Sequence, residues 1–169
     1  MGVLGMRSVR PGAMLLGIGL LSTFPVASPP SPEPLAVFVH PDNPVRDLRF
    51  EELRSIFTLE RQFWPERRRI LLVLPRPGGP EHEALLDRVY RMSCDHLNKF
   101  WTGKVYAGEI PAGPATARTT ERAVALVRAS EGAVSVALAK DLPEGLPLVT
   151  IDGKKPGDPG YPLSTRATR

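Results

Sequence analysis

The chain has 169 residues, of which 42% are hydrophobic and 24% charged, a composition that fits one ordinary globular domain and excludes a coiled coil, a collagen or a wholly disordered polymer. Nineteen prolines and fifteen glycines favour short elements and many turns over a long helical bundle. A net charge of +4 from 22 basic and 18 acidic residues is too small and too dispersed to call for nucleic acid, and one cysteine, Cys94, rules out a disulfide scaffold.

The chain opens with Arg7 and Arg10, an apolar run over Pro11 to Leu21 and a small-residue exit at Val26-Ala27-Ser28. These features predict a secretory signal peptide over residues 1–28, cleaved after Ser28. The apolar run is too short to cross a hydrocarbon core of about 30 Å, so the cleaved protein is not expected to span a membrane. Loss of Arg7 and Arg10 takes the balance from +4 to +2, which removes most of the basic signal. Residues 29–34, Pro-Pro-Ser-Pro-Glu-Pro, form an extended leader. A folded domain is expected over residues 35–166, with 167–169 as a tail.

Within that domain Leu35–Val39 is an apolar run suited to a strand buried on both faces. After the turn cluster at His40 to Pro44, Phe50, Leu53, Ile56 and Phe57 recur at helical spacing, with Glu51 and Glu52 in the first turn. Ile70–Leu74 reads as a second buried strand, and Pro80 can start a helix reaching Met92. Ser93 can cap a helix from Cys94 to about Trp101, and Thr120 can open another over Glu121 to Ala129. Ala133–Ala139 and Leu148–Ile151 complete an alternation of strands and helices of the α/β kind.

Chemistry concentrates in one segment. Arg76-Pro-Gly78-Gly79-Pro80 lies between a strand and a helix, where glycine turns can aim backbone N–H groups at an oxyanion and a guanidinium can add a bidentate donor. The competing reading is an ordinary strand-to-helix turn with a solvated arginine. Pro80 has no N–H to give, and Glu81 and Glu83 repel anions. His40, His82 and His96 lack metal-ligand spacing, and Cys94 with His96 sits at a helix start where the two point apart, so no metal, cofactor or catalytic set is expected. Phe63, Trp64, Phe100 and Trp101 are read as core, and Arg67 to Arg69 as a solvated charge run.

Taken in order, several segments resemble a known family. Val39-His-Pro-Asp-Asn-Pro-Val45, then Leu48 to Phe57 with Trp64 after it, is similar to the Asn-Pro-x-Asn-Pro-Val … Leu-x-x-Ile-Phe … Trp passage of phosphate-binding proteins that serve phosphate ABC transporters. Arg76-Pro-Gly-Gly-Pro80 falls where that family has an arginine and a Ser-Gly-Thr turn. Glu131-Gly-Ala-Val134, Ile151-Asp-Gly153 and Tyr161-Pro-Leu163 resemble its later segments. The resemblance implies a single periplasmic-binding-protein-like lobe, α/β, with a mainly parallel sheet and helices on both faces. It also implies Arg76, Gly78 and Gly79 as contacts for phosphate or a similar small oxyanion. Pro80 stands in place of a hydroxyl residue, and Val134-Ser-Val136 departs from the family's Gly-Tyr pattern.

The expectation is therefore a non-enzymatic, exported solute-binding-like protein, periplasmic or secreted and linked to phosphate uptake. It would bind an oxyanion weakly and have a possible envelope or ABC transporter partner. The alternative is an envelope interaction module that keeps the lobe without the ligand.

Overall fold

The computed structural model describes residues 1–2 and 31–165; the signal-peptide expectation, with its cleavage site after Ser28, lies outside the described residues. One six-stranded sheet organises the chain. Its strands are β1 (Leu35–Val39), β2 (Asp47–Leu48), β3 (Leu71–Pro75), β4 (Ala115–Ala117), β5 (Ala133–Leu138) and β6 (Leu148–Ile151), in the order β2-β6-β1-β5-β3-β4. The β2–β6, β5–β3 and β3–β4 pairs are parallel, and β1 runs antiparallel to both of its neighbours, β5 and β6. The sheet is thus mostly parallel, as the family resemblance implies, with one reversed strand at its centre.

Among the described residues four α-helices cover it: α1 (Phe50–Phe57), α2 (Pro80–Leu85), α3 (Cys94–Tyr106) and α4 (Thr120–Ala129). A π-helical turn, Leu86–Tyr90, extends α2 and ends on Arg91, which takes the left-handed conformation. The helix expected from Pro80 to Met92 is therefore split.

Alternation along β1 explains the two faces. Val37 and Val39 enter a large core with Leu53, Ile56 and Phe57 of α1, Leu85 of α2 and Leu97 and Trp101 of α3. Phe38 points the other way, into a smaller core with Ala123, Val124 and Val127 of α4. All five residues of β1 are fully buried, as a central strand covered on both faces requires.

Caps and cross-links set the helix positions. The Ser93 hydroxyl accepts from the His96 amide at 3.3 Å, the cap expected for α3, and that helix runs on to Tyr106. At α1 the Glu52 carboxylate accepts from the Arg49 amide (3.0 Å), and the Asp152 carboxylate, after β6, accepts from the Phe50 amide (3.1 Å). Trp64 is buried, and its indole N–H donates to the Gly132 carbonyl at 2.9 Å, which ties the segment before β3 to the start of β5. Phe63 departs from the core expectation. It is 51% exposed beneath Arg69, whose guanidinium carbon lies 6.0 Å from the ring centroid.

Candidate functional site

The site follows from the register of two parallel strands. Pro75 of β3 is paired with Ala117 of β4, so Arg76 and Arg118 leave adjacent strands at the same level. Both then feed helix starts. Arg76 leads through Pro77 and Gly78 to Gly79, the N-cap of α2, and Arg118 leads directly to Thr119, the N-cap of α4. Carboxyl ends of parallel strands, with helices departing on opposite faces, are where open α/β sheets form ligand crevices. A hollow of about 620 Å³ occupies this place, walled by Arg76, Pro80 and Glu81 on one side and by Arg118 to Glu121 on the other, with Asp141 at its margin.

Local geometry explains the turn. Gly78 has φ of +77°, a left-handed conformation that disfavours side chains, although its Cβ position is open. Gly79 is extended, and its N–H is turned back onto the Arg76 carbonyl at 3.4 Å. The Glu81 carboxylate lies 3.2 Å from where a Gly79 Cβ would be, so α2 begins with its own acid beside it. Of the three residues singled out in the sequence, Arg76 reaches the hollow. Gly78 is exposed and Gly79 buried, and both shape the turn without forming the hollow's wall. Glu83 points to a different surface depression.

Arg118 and Thr119 were invisible as site residues from the sequence. The Thr119 hydroxyl accepts from the Arg122 amide at 3.3 Å, so Thr119, not Thr120, is the cap. The Thr119 hydroxyl and the residue's own amide hold the Glu121 carboxyl below its ordinary range. Neither Arg76 nor Arg118 makes an ion pair among the described residues. No described group of three or more His, Cys, Asp and Glu side chains could hold a metal ion, and no described helix is long and apolar enough to cross a membrane.

His82 couples this region to pH. It sits in α2 just past the turn, 4% exposed, and its Nδ1 has no hydrogen-bond partner among the described residues. Burial holds the imidazole below its usual range, and the Glu83 carboxylate, 4.0 Å away, only partly opposes this. The unfolded chain therefore takes up this proton before the folded one. Stability is undiminished above about pH 6.5 and falls below it, by at most about 1.4 kcal/mol per pH unit for one proton, until the folded histidine titrates. Urea midpoints measured from pH 7.5 to 5 are expected to drop more steeply for the parent than for His82→Leu. Parallel profiles would exclude the effect.

No protein-family model and no curated protein sequence matches the chain. Solved structures do. The fold is similar to that of a phosphate ABC transporter substrate-binding protein with bound phosphate from Clostridium perfringens, with a TM-score of 0.63 and 19% identity over 79% of this chain and 53% of that one. It is also similar to an ABC-type phosphate transport receptor from Vibrio cholerae (TM-score 0.60, 15% identity, 74% of this chain and 48% of that one). A third likeness is PstS from Borrelia burgdorferi (TM-score 0.60, 12% identity, 79% of this chain and 55% of that one). The chain spans about half the length of these structures. Its fold is that of a periplasmic-binding-protein-like α/β lobe, the fold of solute-binding proteins.

Proposed function

We propose that the chain is an exported, non-enzymatic solute-binding-like protein that holds phosphate or a similar small oxyanion at the hollow between α2 and α4, in the service of phosphate uptake. Arg76 and Arg118 would contact the anion, with Gly78 and Gly79 setting the turn that presents Arg76. The observation that carries the reading is the pairing of Pro75 with Ala117, which puts two guanidiniums free of ion pairs at the mouth of one crevice. The similarity to phosphate-binding structures supports the same ligand class.

Binding at this hollow would be weak. The anion stays partly hydrated, salt screens the exposed arginines, and Glu81 and Glu121 already occupy the helix starts, so affinity in the micromolar range or weaker follows. Titration calorimetry with phosphate at low salt should give heat with the parent and about tenfold to a hundredfold weaker binding, or none, with Arg76→Ala, the loss expected for one charge-assisted contact of roughly 1.5–3 kcal/mol. Equal heats from both proteins would remove Arg76 from the site.

One observation favours the second reading, an envelope interaction module. Phe63 and Leu71 are 51% and 47% exposed, and Leu71 borders an apolar hollow of about 250 Å³ at the opposite end of β3. Capture of an envelope or ABC transporter protein that is lost on Phe63→Ser, with no phosphate heat, would select that reading.

A further inference from the structure

The start of β3 leaves part of the smaller core uncovered. Leu71 and Val73 alternate with Leu72 and so share a side of the strand. Val73 is buried in the smaller core with Ala133, whereas Leu71, one pleat earlier, is 47% exposed. The loop from Ile110 to Pro114 and Leu126 of α4 rise around Leu71 and frame an apolar hollow of about 250 Å³. A cavity of about 150 Å³ with aliphatic walls already accepts benzene, so this one has room for a ring or a branched chain with a short arm.

One charge faces this space. Among the described residues Arg69 is the sole charged side chain on the wall, and Gln62 and Ser130 add an amide and a hydroxyl. The Arg69 guanidinium is held in place without being neutralised. It donates to the Gln62 side-chain carbonyl at 3.3 Å, lies over the Phe63 ring and makes no ion pair among the described residues. Gln62 is itself anchored, donating to the Glu109 carbonyl at 3.0 Å. The acids that flank the wall segments do not compete for Arg69. Lys104 binds Glu109 at 2.8 Å and Arg68 binds Glu131 at 3.0 Å, while Glu60, beside Leu59, is exposed, where water and salt screen it.

An apolar depression with one open guanidinium at its rim matches an apolar molecule that ends in a carboxylate, since the walls reward the body and arginine pairs the head in a planar, two-pronged contact. We infer that this hollow is a second binding site, for a small carboxylic acid with an aromatic or branched aliphatic body. The body lies on Leu71 and Leu126 and the carboxylate on Arg69. The site is at the opposite end of β3 from the Arg76–Arg118 hollow and stands independently of the oxyanion reading.

Phenylacetate, 2-phenylethanol and acetate test it, each titrated into the purified protein at low salt and followed by backbone amide resonances. Phenylacetate, with roughly ten non-hydrogen atoms, is expected to saturate with about millimolar or tighter affinity. Its shifts should concentrate in residues 69–73, 110–115 and 126–133. The alcohol keeps the ring without the charge and should bind about two- to fivefold more weakly, the range for one exposed ion pair. Acetate keeps the charge without the ring and should not saturate there. Arg69→Gln should bring phenylacetate down to the level of the alcohol. Arg67→Gln, which removes a neighbouring arginine outside the hollow, should leave it unchanged; both side chains are exposed, and unchanged circular dichroism spectra check the fold. Equal affinities for acid and alcohol, or equal losses from the two arginine variants, would take Arg69 out of the contact and overturn the proposal. Acetate binding as tightly as phenylacetate would remove the role of the apolar walls and overturn it too. So would shifts centred on residues 76–81 and 118–121, or no shifts from any probe.

Discussion

Replacing Gly132 by alanine is expected to cost about 2–6 kcal/mol, a large share of the roughly 5–15 kcal/mol that holds a domain of this kind together. A Cβ at Gly132 would lie 2.0 Å from the Arg69 carbonyl oxygen, and the obstacle is backbone, which cannot rotate aside. Relief requires the entry to β5 to move away from the segment before β3. That movement strains the two hydrogen bonds accepted by the Gly132 carbonyl, from the Leu71 amide at 3.0 Å and the Trp64 indole at 2.9 Å. Overpacking of about 1–3 kcal/mol and the weakening of two bonds worth about 0.5–1.5 kcal/mol each give the total. Gly113→Ala is the control. Nothing lies within 4 Å of its Cβ position, and its effect should stay within about 0.5 kcal/mol. Urea denaturation of both variants measures the difference, and equal midpoints would refute the close approach.

Phe38→Ala should rival it, with an expected loss of about 3–5 kcal/mol. Phe38 is fully buried on the central strand, and the core it enters is otherwise built of smaller side chains: Val73, Ala117, Ala123, Val124, Val127, Ala133, Ala137 and Leu146. Small neighbours on a sheet and a helix collapse poorly into the void, which places the cost near the upper end of the range. The same cavity would loosen Ala117 and Ala123, which also line the arginine hollow. Phe38→Leu keeps most of the volume and should cost less than half as much. A loss below about 1 kcal/mol for Phe38→Ala would mean that the α4 face is not a packed core.

Much of this framework was legible in the sequence because strong local signals agreed with the final packing. The apolar run at Leu35–Val39 and the run at Ala133–Leu138, interrupted only by Ser135, are buried strands, and the spacing of Leu53, Ile56 and Phe57 is the buried stripe of α1. Ser93 caps α3 as its hydroxyl and position predict. Other features depend on partners distant in the chain. Strand β4 is Ala-Thr-Ala, without an apolar pattern, and exists through its pairing with β3. Strand β2 has only two residues and is held by β6. The reversed direction of β1 leaves no mark on its composition.

The same distinction runs through the site. Arg76 stood out because glycines and a helix start follow it directly. Arg118 has no such local setting, and only the Pro75–Ala117 register makes it a neighbour of Arg76. Thr120 did signal a helix start, one residue away from the true cap, Thr119. Phe63 is exposed because the short Phe63–Arg69 bridge turns alternate side chains apart, sending Trp64 inward. Hydrophobicity alone could not assign those two directions.

The central claim is that an oxyanion is held where β3 and β4 hand over to α2 and α4. A phosphate titration followed by backbone amide resonances tests it most directly. Saturable shifts should concentrate in residues 76–81 and 118–121 and near Asp141, and should diminish in Arg76→Ala and in Arg118→Ala. Shifts absent from these segments at millimolar phosphate, or centred instead on the apolar hollow around Leu71 and Ile110, would contradict the account.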